Sequence, residues 1–409
     1  MRRMRPLLIS TALLAALCLL GCQQFAERTL TWSQRKVSEM MPWQVYGMCA
    51  SPDGSKVALA ASKGVLGGVG GKHALVVVDV AGGEVISRTL NARECDQPLQ
   101  WRADGRILTR RYHVRELDFG EALEKNPQAL RSQFPDVEPG GSFVPQGPQA
   151  ASECWLVALD RPGADALPGR PGREGAACWA PDGKSLVFDA YPSSWQGEAA
   201  MTPDVTLAAG GKTTPLSPSS YLVGCARCTM HAVGWVAVVR RVQDWRSEYL
   251  VIDMPSRKVR PLMGWTPNLW AAAVSPNGEY LAVLAGRAGF ERDQVPFSAW
   301  DQEPGWLVLV PLAGGTRKEI ELGGPATALA WSGDSRRLAL CGAYAGAWAY
   351  DLASGKMTRL AEASSEPRVC AWAGRRIVLG TASGEVMLQQ GEGQASFRTV
   401  DLGLQPKEE

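Results

Sequence analysis

The sequence predicts an all-β chain folded as a single disc of seven four-stranded sheets, and three observations carry that prediction. A strand-turn-strand unit recurs along the chain, its strands are short and apolar, and in the clearest copies two further strands and a turn follow. Self-similarity of this kind is the signature of a repeat architecture. Seven units of about four short strands describe a β-propeller, each blade one twisted antiparallel sheet packed face to face with the next. Six or eight blades are the neighbouring alternatives.

The turn that opens each unit reads Ser51-Pro-Asp-Gly54, Arg102-Ala-Asp-Gly105, Ala180-Pro-Asp-Gly183, Ser275-Pro-Asn-Gly278 and Ser332-Gly-Asp-Ser335. Pro at the second position presets φ, Asp or Asn at the third bonds back to the local backbone, and Gly at the fourth accepts a left-handed conformation. Two degraded copies complete the set: the stretch from His231 around Gly234, and Val369 to Leu379, which matches Ala328 to Leu338 with two turn residues deleted. Later strands follow in each unit, among them Leu75 to Asp79, Cys154 to Asp160, Asp204 to Leu207, Tyr249 to Asp253, Trp306 to Val310, Trp348 to Asp351 and Glu385 to Leu388. Spacing is uneven because of an insertion at about 114–152, helical in character over Arg115 to Lys125 and then rich in Pro and Gly. The propeller is expected to occupy 46–405. The segment from Leu30 to Tyr46 is expected to supply a strand closing the last blade, since circular closure removes exposed sheet edges.

The turns at Ser51-Pro-Asp-Gly54 and Ala180-Pro-Asp-Gly183, each followed by an apolar strand, resemble the WD40-like repeat of the propeller in TolB and related bacterial envelope proteins. The resemblance covers most of 46–390 at repeat level and implies the fold, but the motif serves many activities. The chain departs from that family in lacking an alternating strand and helix segment for a separate α/β domain.

The N-terminal residues read as a signal peptide, 1–21. Arg2, Arg3 and Arg5 precede an apolar stretch from Leu7 to Leu20 that is too short for a comfortable membrane span. Its end, Leu19-Leu20-Gly21-Cys22, resembles the lipobox of bacterial lipoproteins, which implies lipidation of Cys22 and a lipid-anchored tether over 22–45. Each buried methylene of an acyl chain contributes about 0.8 kcal/mol, so several chains anchor lastingly. Gln23 in place of Asp favours, by the same resemblance, the outer membrane over the inner. Removing residues 1–21 takes away three Arg and no acid and leaves 40 basic against 41 acidic residues. That balance gives no electrostatic reason to expect nucleic acid as a partner.

Eight cysteines remain besides Cys18 and Cys22: Cys49, Cys95, Cys154, Cys178, Cys225, Cys228, Cys341 and Cys370. An even number in an exported chain is compatible with disulfides, whose connectivity sequence does not give; sequence neighbours brought together on adjacent strands are the expected partners. Cys225-Ala-Arg-Cys228 carries no helix start that would make it a redox motif and has no second Cys-x-x-Cys to complete a zinc site. It is read as a local structural disulfide.

No catalytic, metal or cofactor residues are assigned. His73, His113 and His231 are scattered without metal-type spacing, there is no Gly-x-Ser-x-Gly elbow, and Gly67 to Lys72 fails as a phosphate loop because position 66 is Leu and position 73 is His. Trp101, Trp179, Trp331 and Trp372 share one repeat position, which suits packing between blades. Trp195, Trp245, Trp265, Trp270 and Trp300 lie outside that register. Trp and Arg are the residue types of interface hot spots, so Arg240, Arg241, Trp245 and Arg246 form the candidate partner-binding patch. The functional expectation is a membrane-anchored envelope lipoprotein whose propeller is a non-catalytic scaffold for an envelope protein or peptide. The alternative is an enzyme or a small-ligand or glycan binder using the central channel.

Overall fold

A computed structural model describes residues 43–63, 72–91, 94–113, 152–157, 164–166, 174–190, 203–227, 234–243, 246–254, 256–267, 269–285, 305–342, 345–392 and 395–404. These residues form seven four-stranded antiparallel sheets, each made of four consecutive strands in meander order. The chain is an all-β propeller of seven blades.

Blade 1 comprises β1 (Trp43–Ala50), β2 (Lys56–Lys63), β3 (Lys72–Asp79) and β4 (Val85–Asn91), and blade 2 comprises β5 (Glu94–Trp101), β6 (Ile107–His113), β7 (Ser152–Val157) and β8 (Ala164–Ala166). Blade 3 follows as β9 (Glu174–Trp179), β10 (Leu186–Ala190), β11 (Asp204–Ala209) and β12 (Lys212–Ser217), and blade 4 as β13 (Ser220–Arg227), β14 (Trp235–Gln243), β15 (Arg246–Met254) and β16 (Lys258–Pro267). Blade 5 holds β17 (Leu269–Val274), β18 (Tyr280–Ala285), β19 (Trp306–Pro311) and β20 (Lys318–Glu321). Blade 6 holds β21 (Ala328–Trp331), β22 (Arg337–Gly342), β23 (Gly346–Asp351) and β24 (Met357–Ala361), and blade 7 holds β25 (Pro367–Ala373), β26 (Arg376–Thr381), β27 (Val386–Gln389) and β28 (Phe397–Val400). Each blade's first strand touches the first strands of its neighbours, β25 meeting β1, so the ring closes.

The turn chemistry works as its residues predict. In the first copy the Ser51 hydroxyl donates to Asp53 Oδ1 at 2.6 Å, the amide of Ser55 donates to the same oxygen at 3.0 Å, and the Gly54 amide donates to the Ser51 carbonyl at 2.9 Å. Ser275 with Asn277 and Ser332 with Asp334 repeat the hydroxyl contact at 2.8 and 2.6 Å. Gly54 sits at φ +69°, and a Cβ on it would also collide with the backbone of Gly374 in blade 7. Two physical demands therefore fall on one residue.

Seven apolar clusters among the described residues each join two consecutive blades. Period-two alternation sends successive side chains of a second strand to opposite neighbours. Thus Val57, Leu59 and Ala61 of β2 pack with Val378 and Val386 of blade 7, whereas Ala58 packs with Trp101 and Ile107 of blade 2. The shared Trp position makes these seams specific: Trp101 Nε1 donates to the Cys49 carbonyl at 3.1 Å and Trp331 Nε1 to the Ala273 carbonyl at 3.0 Å, each on the preceding blade. Arginines lie over other indoles, Arg102 of a turn 4.6 Å from the Trp179 ring centroid and Arg337 at the start of β22 4.7 Å from that of Trp372.

The closing-strand expectation changes. Residues 30–42 lie outside the described residues, Trp43 to Tyr46 begin β1 of the first blade, and blade 7 is complete with four strands of its own. The 7–1 seam is instead held by side chains. Arg376 donates to the Val80 carbonyl and Arg398 to the Ala81 carbonyl, both at 3.2 Å, while Arg88 reaches the carbonyls of Leu402 and Gly403.

Candidate functional site

Strand direction alternates within every blade, so the first-to-second and third-to-fourth turns leave by one face of the disc and the second-to-third connections by the other. Where its residues are described, the first face carries tight turns. Residues 64–71, 114–151, 191–202 and 286–304, which include almost all of the 114–152 insertion, lie outside the described residues, and the strand ends that flank them all belong to the second face. The four longest such segments between strands are thus flanked by strand ends of one face, while 158–163 and 228–233 are flanked by strand ends of the other.

Second strands run toward that face. The pairings Ala50 with Val57, Trp101 with Ile107, Trp179 with Leu186, Cys225 with Ala237, Val274 with Leu281, Trp331 with Leu338 and Trp372 with Ile377 define one register for all seven blades. Three residues beyond this register the chain reads Ala60, Arg110, Asp189, Arg240, Leu284, Cys341 and Gly380. Blades 2, 3 and 4 carry charges at one position where the other four carry small or apolar residues.

Asp189 is 2 % exposed. Its Oδ1 accepts the Leu222 amide of blade 4 at 2.6 Å and its Oδ2 the Ala176 amide of its own blade at 3.3 Å. Burial pushes this carboxyl up to about 7, against the pull of those two amides and of the Arg110 and Arg240 charges. A buried acid that changes charge near neutrality, between two guanidiniums, is the most perturbed carboxylate among the described residues.

Arg240 is held in a row of cross-strand neighbours, Tyr221 on β13 and Tyr249 on β15. Its guanidinium carbon lies 5.1 Å from the Tyr221 ring centroid. Tyr249 is fully buried, and desolvation pushes its phenol up to about 12 despite the adjacent Arg240 charge. Two further arginines are neutralised within their own sheets. Arg111 makes a bidentate pair with Asp96, Nε to Oδ1 at 2.9 Å and Nη2 to Oδ2 at 2.8 Å, and Arg241 meets Glu248 at 3.4 Å.

The residues singled out from sequence divide as follows. Arg240 and Arg241 fall at the end of β14, on the face described above, and Arg246 opens β15 across the same hairpin, while Trp245 lies outside the described residues. Cys22 and Cys228 also lie outside them. Cys225 has its Sγ 2.8 Å from that of Cys178 on β9, a partner in the neighbouring blade. His73 is buried, with neither ring nitrogen hydrogen-bonded, and desolvation lowers it to about 4. Among the described residues no three His, Cys, Asp or Glu converge as a metal site would require, and no helix is long and apolar enough to cross a membrane. Sequence reasoning missed Arg110 and Asp189. Their signal was a charge ending an apolar run, in Ile107-Leu-Thr-Arg110 and Leu186-Val-Phe-Asp189, and it becomes legible only when the seven second strands are aligned.

No family model and no curated protein matches this sequence. Solved structures do match its fold. The hydrazine synthase structure of Kuenenia stuttgartiensis superposes with a TM-score of 0.53 at 12 % identity, over 86 % of this chain and 96 % of that one. TolB of Acinetobacter baumannii overlaps 80 % of this chain and 75 % of its own at 13 % identity with a TM-score of 0.43. The β-propeller domain of the trilobed protease of Pyrococcus furiosus, described as having an open velcro topology, superposes at 0.50 with 12 % identity over 87 % of this chain and 96 % of that one, and at such identity the likeness is one of fold.

Proposed function

We propose that this protein is a lipid-anchored β-propeller of the bacterial envelope that binds a protein or peptide partner, without catalysis, on the face where the second-to-third connections leave the blades. The observation that carries the reading is the row Tyr221, Arg240, Tyr249 beside Arg110 and Asp189. Arg and Tyr are the side chains that concentrate binding energy at interfaces, and here the partly exposed Tyr221 and Arg240 stand over the buried Tyr249 and Asp189 in a position where the other blades outside 2 to 4 carry small or apolar residues. Attachment of the longest non-repeating segments, 114–151 and 286–304 among them, to the same face supports it further, because loops carried by a rigid scaffold are where binding residues gather. The anchor rests on the lipobox resemblance at Cys22, and the envelope location on the same stretch.

The test is affinity purification after cross-linking of the lipidated protein in membranes, with Arg240→Glu beside the wild type. The expected result is one stoichiometric partner that is lost on charge reversal while thermal stability holds. Recovery of no stoichiometric partner overturns the scaffold reading and favours a small ligand or substrate of the channel. Cys22→Ala should move the protein from the membrane to the soluble fraction, and retention in the membrane would overturn the anchor.

A further inference from the structure

We propose that Cys178 and Cys225 form a disulfide that ties blade 3 to blade 4. The repeat register explains why these two meet. Cys225 occupies in blade 4 the position held by Trp101, Trp179, Trp331 and Trp372 in blades 2, 3, 6 and 7. That position faces the penultimate first-strand residue of the preceding blade, as Trp101 does by donating to the Cys49 carbonyl. Cys178 is the blade 3 counterpart of Cys49, each paired with the second residue of the register, Val187 and Ala58. A sulfur therefore stands where an indole would otherwise span the seam. The two Sγ atoms are 2.8 Å apart, so reaching the bonding distance of about 2.0 Å takes less than about 1 Å of movement.

The seam between blades 6 and 7 offers an internal comparison. Cys341 of β22 and Cys370 of β25 lie in one apolar cluster, 0 % and 8 % exposed, and the Cys370 thiol donates to the Ala339 carbonyl at 3.6 Å. Cys178 and Cys225 are only half-buried. An exchange reagent thus reaches the 3–4 pair in the folded ring and the 6–7 pair only after opening.

The step is thiol-disulfide exchange with a donor disulfide. The Cys178 thiolate attacks one donor sulfur, breaking the donor bond and releasing one donor thiolate. The Cys225 thiolate then attacks the Cys178 sulfur of the mixed disulfide, forming the Cys178 to Cys225 bond and releasing the second donor thiolate. Two protein thiols are oxidised, one donor disulfide is reduced to two thiols, and the protein's two protons pass to solvent and the donor thiolates. In the cell the donor is an exported protein disulfide, which rests on the export reading above; in vitro it is oxidised glutathione.

The experiment has two arms read by non-reducing peptide mapping. Cells are acid-quenched and alkylated, and separately the purified, reduced full-length protein is equilibrated in glutathione redox buffer. The expected result is a Cys178 to Cys225 linked peptide in both arms, opened by mild reductant in the native state ahead of any Cys341 to Cys370 link, with the melting temperature falling by about 5–10 °C on reduction. A link in glutathione but free thiols in the cell supports the pairing and overturns the export reading. Absence of the link in both arms, or linkage of Cys225 to Cys228 instead, overturns the proposal. The double variant Cys178→Ala, Cys225→Ala should abolish the reductant-sensitive part of the melt.

Discussion

At the residue scale, Asp189 and the turn glycines respond to different physics. Asp189 titrates at about 7 in the fold, because it is buried, and near 3.9 when unfolded. Below about pH 4 both states hold the proton; between about 4 and 7 the folded state keeps a proton that the unfolded state has released. Its contribution is therefore present at low pH and is lost as pH rises toward 7. Asp189→Asn should flatten this part of the profile, removing up to about 4 kcal/mol of pH dependence. Urea denaturation of both proteins between pH 4 and 8 measures the difference, and parallel profiles would refute the assignment. Gly54 and Gly183 supply a second, controlled comparison. Both sit in left-handed backbone, at φ +69° and +67°, but a Cβ at Gly183 meets nothing within 4 Å whereas one at Gly54 strikes Gly374. Gly183→Ala should cost about 1 kcal/mol, the conformational penalty alone. Gly54→Ala should cost about 2 kcal/mol more, since the backbone of another blade must yield.

At the scale of elements, one position in the first strand decides how blades meet. Trp101 donates its indole N–H across the seam at 3.1 Å, while the buried Trp372 Nε1 has no hydrogen-bond partner. Replacing each by Phe keeps most of the packing and separates the two terms. Trp101→Phe should lose about 1–2 kcal/mol, whereas Trp372→Phe removes an unsatisfied buried donor and should be neutral or stabilising. Equal losses in chemical denaturation would mean that ring shape outweighs the hydrogen bond. The same position shows how far the sequence could be read. Four of its seven occupants are Trp, and the turn residues beside three of them mark the register unaided because Pro, Asp and Gly act locally. Blade 4 lacks such a turn, so Cys225 was legible only as half of Cys-x-x-Cys. Its true register follows from strand pairing over a long separation, and so does its neighbour Cys178. Asp189 failed to stand out for a related reason. A carboxylate at the end of an apolar run looks solvated until the Leu222 amide and two arginines from other blades are placed around it.

For the whole molecule the governing fact is that the ring closes without exchanging a strand. Each blade is complete in sequence order, so no hydrogen-bonded ladder crosses from one end of the described chain to the other. Closure then depends on side chains, and the 7–1 seam has the means: a cluster that includes Trp43, Val45, Leu59, Val378, Leu388 and Leu402, and guanidiniums that reach backbone carbonyls across the gap. Such closure is additive over contacts, whereas a shared strand would be all or none. Removing residues 401–409 takes away Leu402, 4 % exposed, and both carbonyl acceptors of Arg88 while leaving every strand intact. Apolar burial and charge-assisted bonding together give an expected loss of about 2–4 kcal/mol. Arg88→Ala alone should cost about 1–2 kcal/mol. Hydrogen exchange locates the effect: amides of β1 and β28 should exchange faster in the truncated protein, with β13 to β16 on the far side of the ring unchanged. Uniform acceleration around all seven blades would instead mean that the ring opens as one cooperative unit and that the 7–1 seam is no weaker than the rest.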